Sequence, residues 1–376
     1  MKFVNDKYRT WIEISKSALE SNYLAFRKLL RPQTKLLGVV KSNAYGHGLI
    51  GFSKALDNLG VDWLGVDSIV EASALRANSV RGPILVMGFT LPENFALAAR
   101  QKISLTLSTF ENAKILAQKK SRLAIHVKIE TGLNRQGFLV RDLPKLIRIL
   151  KHARGVEIEG MYTHFAKAYY PGDKNFTEQQ IKKFQAAVAL FRRAGFKPIL
   201  HAAATGGTLN FPEAHFDLVR LGIGLYGLWP TEETRRSHAK KIHLLPVLSW
   251  KTRINEIKTA FRGETVGYYR TERLKRNSRL AILPIGYWHG FDRRLSNVGQ
   301  VLVRGQTARV MGRVSMDMTV IDVTDVVPAA RVGDEVTLIG KQGYNQIGAE
   351  DMAKTAQTIN YEIVTRINPL IQKFYV

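Results

Sequence analysis

Residues 36–48 run Leu36-Leu37-Gly38-Val39-Val40-Lys41-Ser42-Asn43-Ala44-Tyr45-Gly46-His47-Gly48. The apolar first part has the length of a strand and predicts a fully buried strand of a parallel sheet. Lys41 lies where this strand ends, and a desolvated amine there would have a lowered pKa, as a lysine that bonds covalently to a carbonyl compound requires. The two glycines, Gly46 and Gly48, let the backbone approach a ligand closely, and a helix is predicted from Leu49. From the residues alone, the alternative is a lysine whose amine simply reaches solvent.

Length and composition indicate a folded enzyme of two domains. The chain has 376 residues, of which 45% are hydrophobic and 23% charged, and it contains no cysteine. The absence of cysteine excludes disulfides, thiolate catalysis and cysteine-based zinc sites, and it is typical of a reducing compartment. The first eleven residues lack the apolar core of a signal peptide, and no stretch of membrane-spanning length is free of charges. We expect a cytoplasmic protein with no membrane partner and no metal.

The formal net charge of +25 raises the question of a nucleic-acid partner. Lysine and arginine are scattered along the whole chain, with only short clusters such as Lys119-Lys120 and Lys240-Lys241. There is no aromatic-interleaved RNA-binding signature. We therefore predict no specific nucleic-acid partner, and we expect the charge to attract anions non-specifically. A nucleic-acid-binding protein is an alternative that rests on charge alone.

Strand-like and helix-like segments alternate over the first 230 residues. After a strand at 11–15 and a helix at 17–30, strands are predicted at 36–41, 63–66, 84–88, 104–108, 124–130, 156–163, 199–203 and 218–226. Helices between them include 110–120, 142–152 and 177–194. Eight strands accompanied by helices predict a (β/α)8 TIM-like barrel, with a doubly wound sheet as the alternative. Function in such barrels lies at the C-terminal ends of the strands. The polar residues near predicted strand ends or within strands are Lys41, Arg135, His164, His201 and Arg220.

The composition and the hydrophobic pattern of the sequence change after Pro230. Residues 232–241 are polar and charged, which predicts a linker. Alternating apolar runs with glycine turns follow and predict a smaller, mainly β domain with strands at 247–254, 279–285, 300–303, 307–310, 319–323 and 334–339. A helical pattern over 349–367 ends the chain. We place the barrel at 11–235 and assign 236–376, with residues 1–10 packed on it, to the second domain.

The string from Val39 to Gly48 closely resembles the pyridoxal-phosphate attachment site of alanine racemases. The resemblance extends over both domains, and it implies a (β/α)8 barrel followed by a C-terminal mainly-β domain. It further implies that Lys41 holds pyridoxal 5′-phosphate covalently. The implied activity is interconversion of L-alanine and D-alanine, supplying D-alanine for peptidoglycan.

Arg220 lies in an apolar strand and needs an acceptor. From the residues alone, the alternative is a buried salt bridge with a carboxylate of the barrel. The string around it resembles the family's strand whose arginine donates to the pyridine nitrogen of the cofactor. A guanidinium is effectively always protonated, so it does not readily pass a proton to that nitrogen. The ring is then a weaker electron sink, which favours racemisation over transamination.

The resemblance also implies the other groups around the cofactor. Backbone N–H groups and hydroxyls bind phosphate, and the implied set is Gly222, Ile223, Thr205, Tyr45 and Tyr361. His164 matches the histidine beside the ring, and His201 matches the one bonded near the arginine. For each histidine, the alternative is an imidazole that is merely hydrogen-bonded in the core.

Racemisation requires a base on each face of the α-carbon. The resemblance implies Lys41 on one face and Tyr268 of a second subunit on the other, and therefore a homodimer with shared active sites. Arg135 and the backbone N–H of Met316 are the implied carboxylate donors, and Tyr287 matches a tyrosine at the substrate entrance. Lys128 matches a lysine that is carbamylated in some members.

The chain departs from the family pattern in places. Ser315 stands where many members have cysteine, and Trp288 and His289 replace the usual Ala-Asp pair. Tyr169 stands near a position where an acidic residue is common. These changes bear on substrate range more than on reaction type. The alternatives are a racemase of broader or different range, such as serine or lysine, a decarboxylase that shares the fold, and a non-enzymatic carrier of the cofactor.

Overall fold

The computed structural model describes residues 7–118, 122–170, 172 and 174–376. The cluster Lys119-Lys120 lies outside the described residues. The chain divides into two compact units. One contains Glu20–Ala44 and Leu49–Leu245, and the other contains the described part of 1–19, Tyr45–Gly48 and Pro246–Val376. Within the described residues, no helix has both the length and the apolar character needed to cross a membrane.

The first unit is a closed barrel of eight parallel strands, as the sequence predicts. In order of sequence the strands are Lys35–Val39, Trp63–Val66, Ile84–Val86, Ile103–Leu107, Leu123–Glu130, Val156–Tyr162, Ile199–Ala204 and Leu218–Leu221. Each strand pairs in parallel with the next, and the last pairs with the first, where Leu218 lies beside Lys35 and Leu221 beside Gly38. The closure of the last strand on the first excludes the doubly wound sheet.

Helices follow most strands of the barrel. Those described are Leu49–Asn58, Ile69–Ala77, Phe95–Arg100, Phe110–Gln118, Leu143–Lys151, Asn175–Arg193, Thr205–Asn210 and Glu232–His238, with Lys16–Arg27 preceding the first strand. The side chains of Leu36 and Leu37 are completely buried, as the apolar run predicts. Apolar burial of this kind contributes about 25 cal/mol per Å² and holds the strands together.

Three local predictions in the barrel unit are wrong. The strand predicted at 36–41 ends at Val39, so Lys41 lies outside it. The strand predicted at 218–226 ends at Leu221, because the chain turns at Gly222, whose carbonyl accepts the N–H of Leu225. The predicted linker at 232–241 contains the helix Glu232–His238, whose first turn is capped by the Thr231 hydroxyl accepting the N–H of Thr234.

The second unit is built on a ten-stranded, mainly antiparallel sheet. Its strands are Thr10–Ile14, Leu248–Arg253, Glu256–Ala260, Ser278–Leu283, Gln300–Val303, Gln306–Met311, Thr319–Asp322, Glu335–Gln342, Asn345–Ile347 and Lys373–Tyr375. The N-terminal strand pairs antiparallel with Leu248–Arg253 and parallel with Lys373–Tyr375. The large side chains of Trp11 and Trp250 are completely buried in this unit. The predicted mainly-β character is confirmed.

Two features of the second unit were not predicted from the sequence pattern. The helical pattern at 349–367 is two helices, Ala349–Thr355 and Asn360–Thr365, because Gln357 has a left-handed backbone (φ 52°) that ends the first. The strand Glu256–Ala260 lacks a buried face, so it shows no apolar alternation.

Gly46 is a position where only glycine fits. Its φ is +83°, and a Cβ built on it would lie 1.9 Å from the carbonyl oxygen of Val364, which belongs to a helix and cannot move aside. We expect Gly46→Ala to lower the free energy of unfolding by at least about 3 kcal/mol, because overpacking adds to the cost of the left-handed backbone. The measurement is urea unfolding followed by fluorescence.

The matched control for Gly46→Ala is Gly333→Ala. Gly333 has nearly the same backbone conformation, with φ +88°, but a Cβ there would meet no atom within 4 Å. Its substitution should cost only about 1 kcal/mol, the cost of the left-handed backbone alone. Equal losses in the two variants would contradict the steric explanation.

Candidate active site

Lys41 begins a sharply turned segment just past the strand Lys35–Val39. Its Nζ lies 3.7 Å from Oδ1 of Asp67, and 40% of its side chain is exposed. The Lys41 side chain is therefore partly exposed and paired with a carboxylate. Asp67 is itself held in place, because its N–H and that of Ser42 both donate to the carboxylate of Glu71, at 2.8 and 2.7 Å.

Residues 42–45 form a left-handed turn of four non-glycine residues. Their φ values are 56°, 56°, 50° and 50°, for Ser42, Asn43, Ala44 and Tyr45. Such a conformation costs about 1–2 kcal/mol per residue, and backbone strain of this kind concentrates at functional sites. In the barrel unit the turn is held by the Ala44 N–H, which donates to the Val40 carbonyl at 2.8 Å.

Arg220 is buried in the strand Leu218–Leu221, with 2% of its surface exposed. Its Nη2 donates to the carbonyls of Thr163 and Ala202, at 2.8 and 2.9 Å. Its acceptors are thus carbonyls and imidazoles, and the buried salt bridge considered above is not formed. Burial lowers the pKa of Arg220 to about 10, so the guanidinium is charged at neutral pH.

Two predicted histidines contact this guanidinium. Nδ1 of His201 lies 3.0 Å from Nη1 of Arg220, and Nδ1 of His164 lies 3.3 Å from its Nη2. An arginine only donates hydrogen bonds, so Nδ1 of His201 must accept, and Nδ1 of His164 shares the two Nη2 hydrogens with the carbonyls of Thr163 and Ala202. Burial, with the charge of Arg220, holds the pKa of both histidines well below the ordinary value. Both imidazoles are therefore neutral.

Lys128 and Arg135 lie on the strand Leu123–Glu130 and on the loop that follows it. Lys128 is buried, with Nζ 4.4 Å from the centre of the Tyr162 ring. Burial, reinforced by Arg220 and Arg135, lowers the pKa of the Lys128 amine well below its usual value. The carboxylate of Glu130 accepts the N–H groups of Gly132 and Arg135 and so shapes the loop that carries Arg135.

Thr205 and the turn after Leu221 form a small polar cluster. The Thr205 hydroxyl oxygen accepts the N–H groups of Gly222 and Gly224, both at 3.3 Å. A Cβ on Gly224 would lie 2.5 Å from the Phe26 ring, so a glycine is required there. The structure brings Gly222 and Thr205 together as predicted, with Ile223 buried between the two glycines.

Positive groups outnumber acids in this part of the barrel. After burial, the causes that lower the pKa of His164 are the charges of Arg220, Lys128, Arg135 and Lys41. Of the nearby acids, Asp67 pairs with Lys41 and Glu130 is occupied by backbone N–H groups. The site therefore suits a ligand that brings negative charge, such as a phosphate and a carboxylate.

The remaining predicted residues lie in the second unit. The rings of Tyr45 and Tyr361 are 6.1 Å apart, and burial raises the pKa of Tyr45 to about 12. Tyr268 is 67% exposed and Met316 is 55% exposed. Tyr287 is also exposed, and its N–H donates to the Ser315 carbonyl at 3.0 Å, beside Met316.

The residues at which this chain departs from the family pattern lie in different surroundings. His289 is buried, and its Nδ1 accepts the N–H of Gly286 at 3.2 Å, so it caps a turn. Trp288 is exposed. In the barrel unit, Tyr169 is at the surface with its ring 5.0 Å from that of Tyr170. Of the two exchanges at 288 and 289, only Trp288 leaves its side chain open to a ligand.

Two family models match the chain over almost its whole length. They are the alanine racemase N-terminal domain, over residues 14–230, and the alanine racemase C-terminal domain, over residues 247–375. The chain belongs to the alanine racemase family. Membership excludes the non-enzymatic carrier and the nucleic-acid-binding protein as readings of the whole chain, and the chain is an amino-acid racemase, an isomerase.

Similar proteins of the family agree. An alanine racemase of Leptospira interrogans is 39% identical and covers 99% of this chain and 97% of its own. One of Symbiobacterium thermophilum is 38% identical, with 97% of each chain covered. The solved structure of a Clostridium difficile alanine racemase has a TM-score of 0.92 at 31% identity, covering 98% of this chain and 96% of its own. A Bacillus anthracis alanine racemase with bound L-Ala-P has the same TM-score at 32% identity, covering 98% and 95%.

Several residues around the candidate site were missed by sequence reasoning. Asp67 and Glu71 position Lys41, whereas His126 and Glu159 continue the hydrogen bonds of His201. A signal for one of them was present, because His126 alternates with Lys128 and Glu130 along one strand. Polar residues at every second position of a buried barrel strand indicate a polar interior.

The three buried imidazoles of His126, His164 and His201 should stay neutral well below the ordinary histidine pKa of about 6.5. Burial lowers the pKa of each, and Arg220 lowers it further. The unfolded chain takes up these protons around the ordinary histidine pKa of about 6.5, whereas the folded chain takes them up only at lower pH. Stability should therefore fall as the pH falls below about 6.5, by up to about 1.4 kcal/mol per pH unit for each group.

The measurement combines imidazole NMR signals with urea unfolding between pH 7.5 and 5.5. This range lies above the ordinary pKa of carboxyl groups, so Glu130 and Glu159 do not contribute to the slope. Signals of the three rings should keep their neutral positions throughout. Stability that is constant or rises on acidification would contradict the assignment.

Proposed function

We propose that the chain interconverts L-alanine and D-alanine with pyridoxal 5′-phosphate, using Lys41 and the partner's Tyr268 as the two bases. The observation that carries the proposal is the surplus of positive groups around His164, which suits a phosphate and a substrate carboxylate: even without Lys128, the cations Arg220, Arg135 and Lys41 outnumber the acids Asp67 and Glu130. A relative of known structure, 30% identical and with a TM-score of 0.89, is a Clostridium difficile alanine racemase in complex with cycloserine, and the chain covers 96% of it.

The donor set fits the cofactor. Lys41 supplies a primary amine at the end of a barrel strand, where Asp67 holds it from one side. Ile223 and Thr205 would supply a backbone N–H and a hydroxyl for the phosphate, and the family resemblance adds Tyr45 and Tyr361. The Gly222 N–H, which donates to the Thr205 oxygen, would hold that hydroxyl in place. When bound, the cofactor supplies an electron sink for the α-carbon of the amino acid.

Arg220 would present an N–H to the pyridine nitrogen. Three of its five N–H hydrogens are taken by two carbonyls and by His201, so the guanidinium is held in one orientation. A pKa of about 10 keeps it protonated at neutral pH, so it donates a hydrogen bond without transferring a proton. His164 stays neutral beside it and adds no positive charge.

The substrate carboxylate would bind to Arg135 and to the backbone N–H of the partner's Met316. Arg135 is on an exposed loop that Glu130 shapes. Burial lowers the pKa of the Lys128 amine well below its usual value, which favours the neutral form. A neutral amine is the form that reacts with carbon dioxide, so we propose that Lys128 is carbamylated and gives Arg135 an anionic partner.

The two faces of the α-carbon require bases from different elements. Lys41 serves one face, and the partner's Tyr268 the other, in a homodimer. Tyr268, Met316 and Trp288 are 67%, 55% and 57% exposed in the second unit. Exposed apolar groups concentrated in this way are typical of a protein–protein contact, which supports a second subunit.

The D-alanine formed would be used for peptidoglycan, and the expected location remains the cytoplasm. A racemase of broader range, acting on serine or lysine, is the second candidate, because Tyr169 and Trp288 differ from the family pattern and are exposed. Turnover of alanine, serine and lysine under identical conditions distinguishes the two. Equal specificity constants for all three would favour the broader enzyme.

Substitution of Lys41 tests the attachment of the cofactor. We expect the purified protein to show the visible absorbance of bound pyridoxal phosphate, to fix it covalently at Lys41 after borohydride, and to form D-alanine from L-alanine. Lys41→Ala should remove the covalent product and lower kcat by at least about 10³-fold. The control is Lys54→Ala, because Lys54 is an exposed lysine on the next helix. This substitution should change neither the covalent product nor kcat. No absorbance even after added cofactor would overturn the proposal.

Mixing two inactive variants tests the shared site. Lys41→Ala and Tyr268→Phe chains should each be inactive, and random exchange of subunits should restore about a quarter of wild-type activity, since half the dimers then carry one intact site of two. Tyr269→Phe, the exposed neighbour, should retain activity alone. Proven exchange without recovered activity would show that both bases come from one chain.

A further inference from the structure

A chain of hydrogen bonds leads away from Arg220 through the barrel. Its Nη1 lies 3.0 Å from Nδ1 of His201, and Nε2 of His201 lies 2.8 Å from Nδ1 of His126. Nε2 of His126 lies 3.3 Å from Oε2 of Glu159, which also accepts the Ser104 hydroxyl at 2.5 Å. The four side chains from Arg220 to Glu159 belong to four different strands of the barrel.

The two ends of this hydrogen-bond chain determine which ring nitrogen of each histidine carries the hydrogen. Arg220 only donates, so Nδ1 of His201 accepts, and the single hydrogen of the neutral ring is on Nε2. That hydrogen goes to Nδ1 of His126, which leaves the hydrogen of His126 on Nε2, directed at the Glu159 carboxylate. A carboxylate only accepts, so the order is consistent from end to end. Protonation of either ring would set two donors against each other.

The surrounding packing is built for this arrangement. The His201 ring stacks on Tyr162, with centres 4.7 Å apart and an interplanar angle of 6°, and the edge of Trp63 meets His126 at 5.2 Å. A Cβ on Gly160 would lie 2.1 Å from Nδ1 of His126, so this glycine makes room for the ring. Barrel interiors are ordinarily filled by branched apolar side chains, and burying a polar group costs free energy unless it is fully bonded.

Glu159 is remote from the end of the barrel where Lys41 lies. It is the fourth residue of the strand Val156–Tyr162, its side chain is 26% exposed, and its partner Ser104 is the second residue of the strand Ile103–Leu107. Lys41, in contrast, follows the C-terminal end of its strand. The hydrogen-bond chain thus links the site to a carboxylate that lies further from the C-terminal ends of the strands than Lys41 does.

We propose that His126 and Glu159 are positioning residues that fix the tautomer of His201 and, through it, the orientation of the Arg220 guanidinium. The part of this proposal that concerns the cofactor rests on the proposed function. Without the Glu159 carboxylate, His126 can carry its hydrogen on either nitrogen. His201 then accepts from Arg220 only part of the time, and the hydrogen bond that Arg220 offers to the pyridine nitrogen is less well directed.

The test uses ¹⁵N-histidine NMR of the full chain, before and after loading with pyridoxal phosphate. Ring nitrogen shifts report the tautomer directly, and His→Gln variants assign the signals. We expect both His126 and His201 to carry hydrogen on Nε2 in the unsubstituted chain. A hydrogen on Nδ1 of either ring, or a charged ring at neutral pH, would overturn the proposal.

Three substitutions separate the possible causes of an effect. Glu159→Leu removes the acceptor and should mix the tautomers of His126 and His201, lower kcat about tenfold with little change in KM, and shift the cofactor absorbance. Glu159→Gln keeps an acceptor oxygen without the charge and should largely restore the tautomers and kcat, even if Glu159→Leu folds poorly. Glu157→Gln, two residues away on the same strand and paired with Arg122 at 2.7 Å, should change nothing.

The outcomes distinguish this inference from the proposed function. Unchanged histidine signals and unchanged kcat in folded Glu159→Leu would overturn the inference even if the unsubstituted chain is a fully active alanine racemase. Conversely, an unsubstituted chain that binds no cofactor would overturn the proposed function, whereas the tautomer measurement would still decide whether Glu159 controls His201.

Discussion

The buried guanidinium of Arg220 is the group on which the barrel interior depends. It is charged at neutral pH and has 2% of its surface exposed. Leaving such a charge without an acceptor costs about 3–5 kcal/mol. The carbonyls of Thr163 and Ala202 must therefore point inward, and the neighbouring histidines must be neutral. One residue thus constrains the backbone at Ala202, on the strand Ile199–Ala204, and at Thr163, just past the strand Val156–Tyr162, together with the protonation of two rings.

The same charge explains why the interior is polar at a cost to stability. Arg220 and the low dielectric of the core together depress the pKa of His164, His201 and Lys128. A barrel filled with leucine and valine would avoid these penalties, because apolar groups need no partners. What the polar interior provides is a set of neutral acceptors and one permanent donor. That combination suits a ligand with negative groups at its edge and a basic ring nitrogen at its centre.

Much of the fold was accessible from the sequence because it depends on local pattern. Eight apolar runs of strand length predicted the barrel, and the motif around Lys41 indicated that this lysine is the one to which the cofactor attaches. The errors arose where tertiary contacts decide. Residues 232–238 look like a linker because their charged side chains face solvent, yet Thr231 caps a helix there. The role of His126 depends on Glu159 and Gly160, which lie on another strand. No local sequence pattern predicts that these three residues lie next to one another.

The turn after Lys41 was beyond prediction for a different reason. Ser42, Asn43, Ala44 and Tyr45 have no common preference for a left-handed backbone, and only asparagine among them adopts it readily. The other three residues cost about 3–6 kcal/mol together, comparable to the lower end of the stability of a whole domain. Strain of that size persists only when the surroundings leave the chain no alternative.

Contacts with neighbouring residues restrict the backbone of this turn. Glu71 accepts the Ser42 N–H, and the Asn43 side chain accepts the N–H of Leu49 at 2.9 Å. Further along the chain, within the second unit, the Tyr375 hydroxyl donates to the carbonyls of His47 and Gly48, at 3.1 and 3.2 Å. Each of these contacts fixes one part of the loop, and a strained backbone persists only when its surroundings over-determine it in this way. The contacts thereby hold the backbone that carries Lys41 in a conformation that its own residues do not favour.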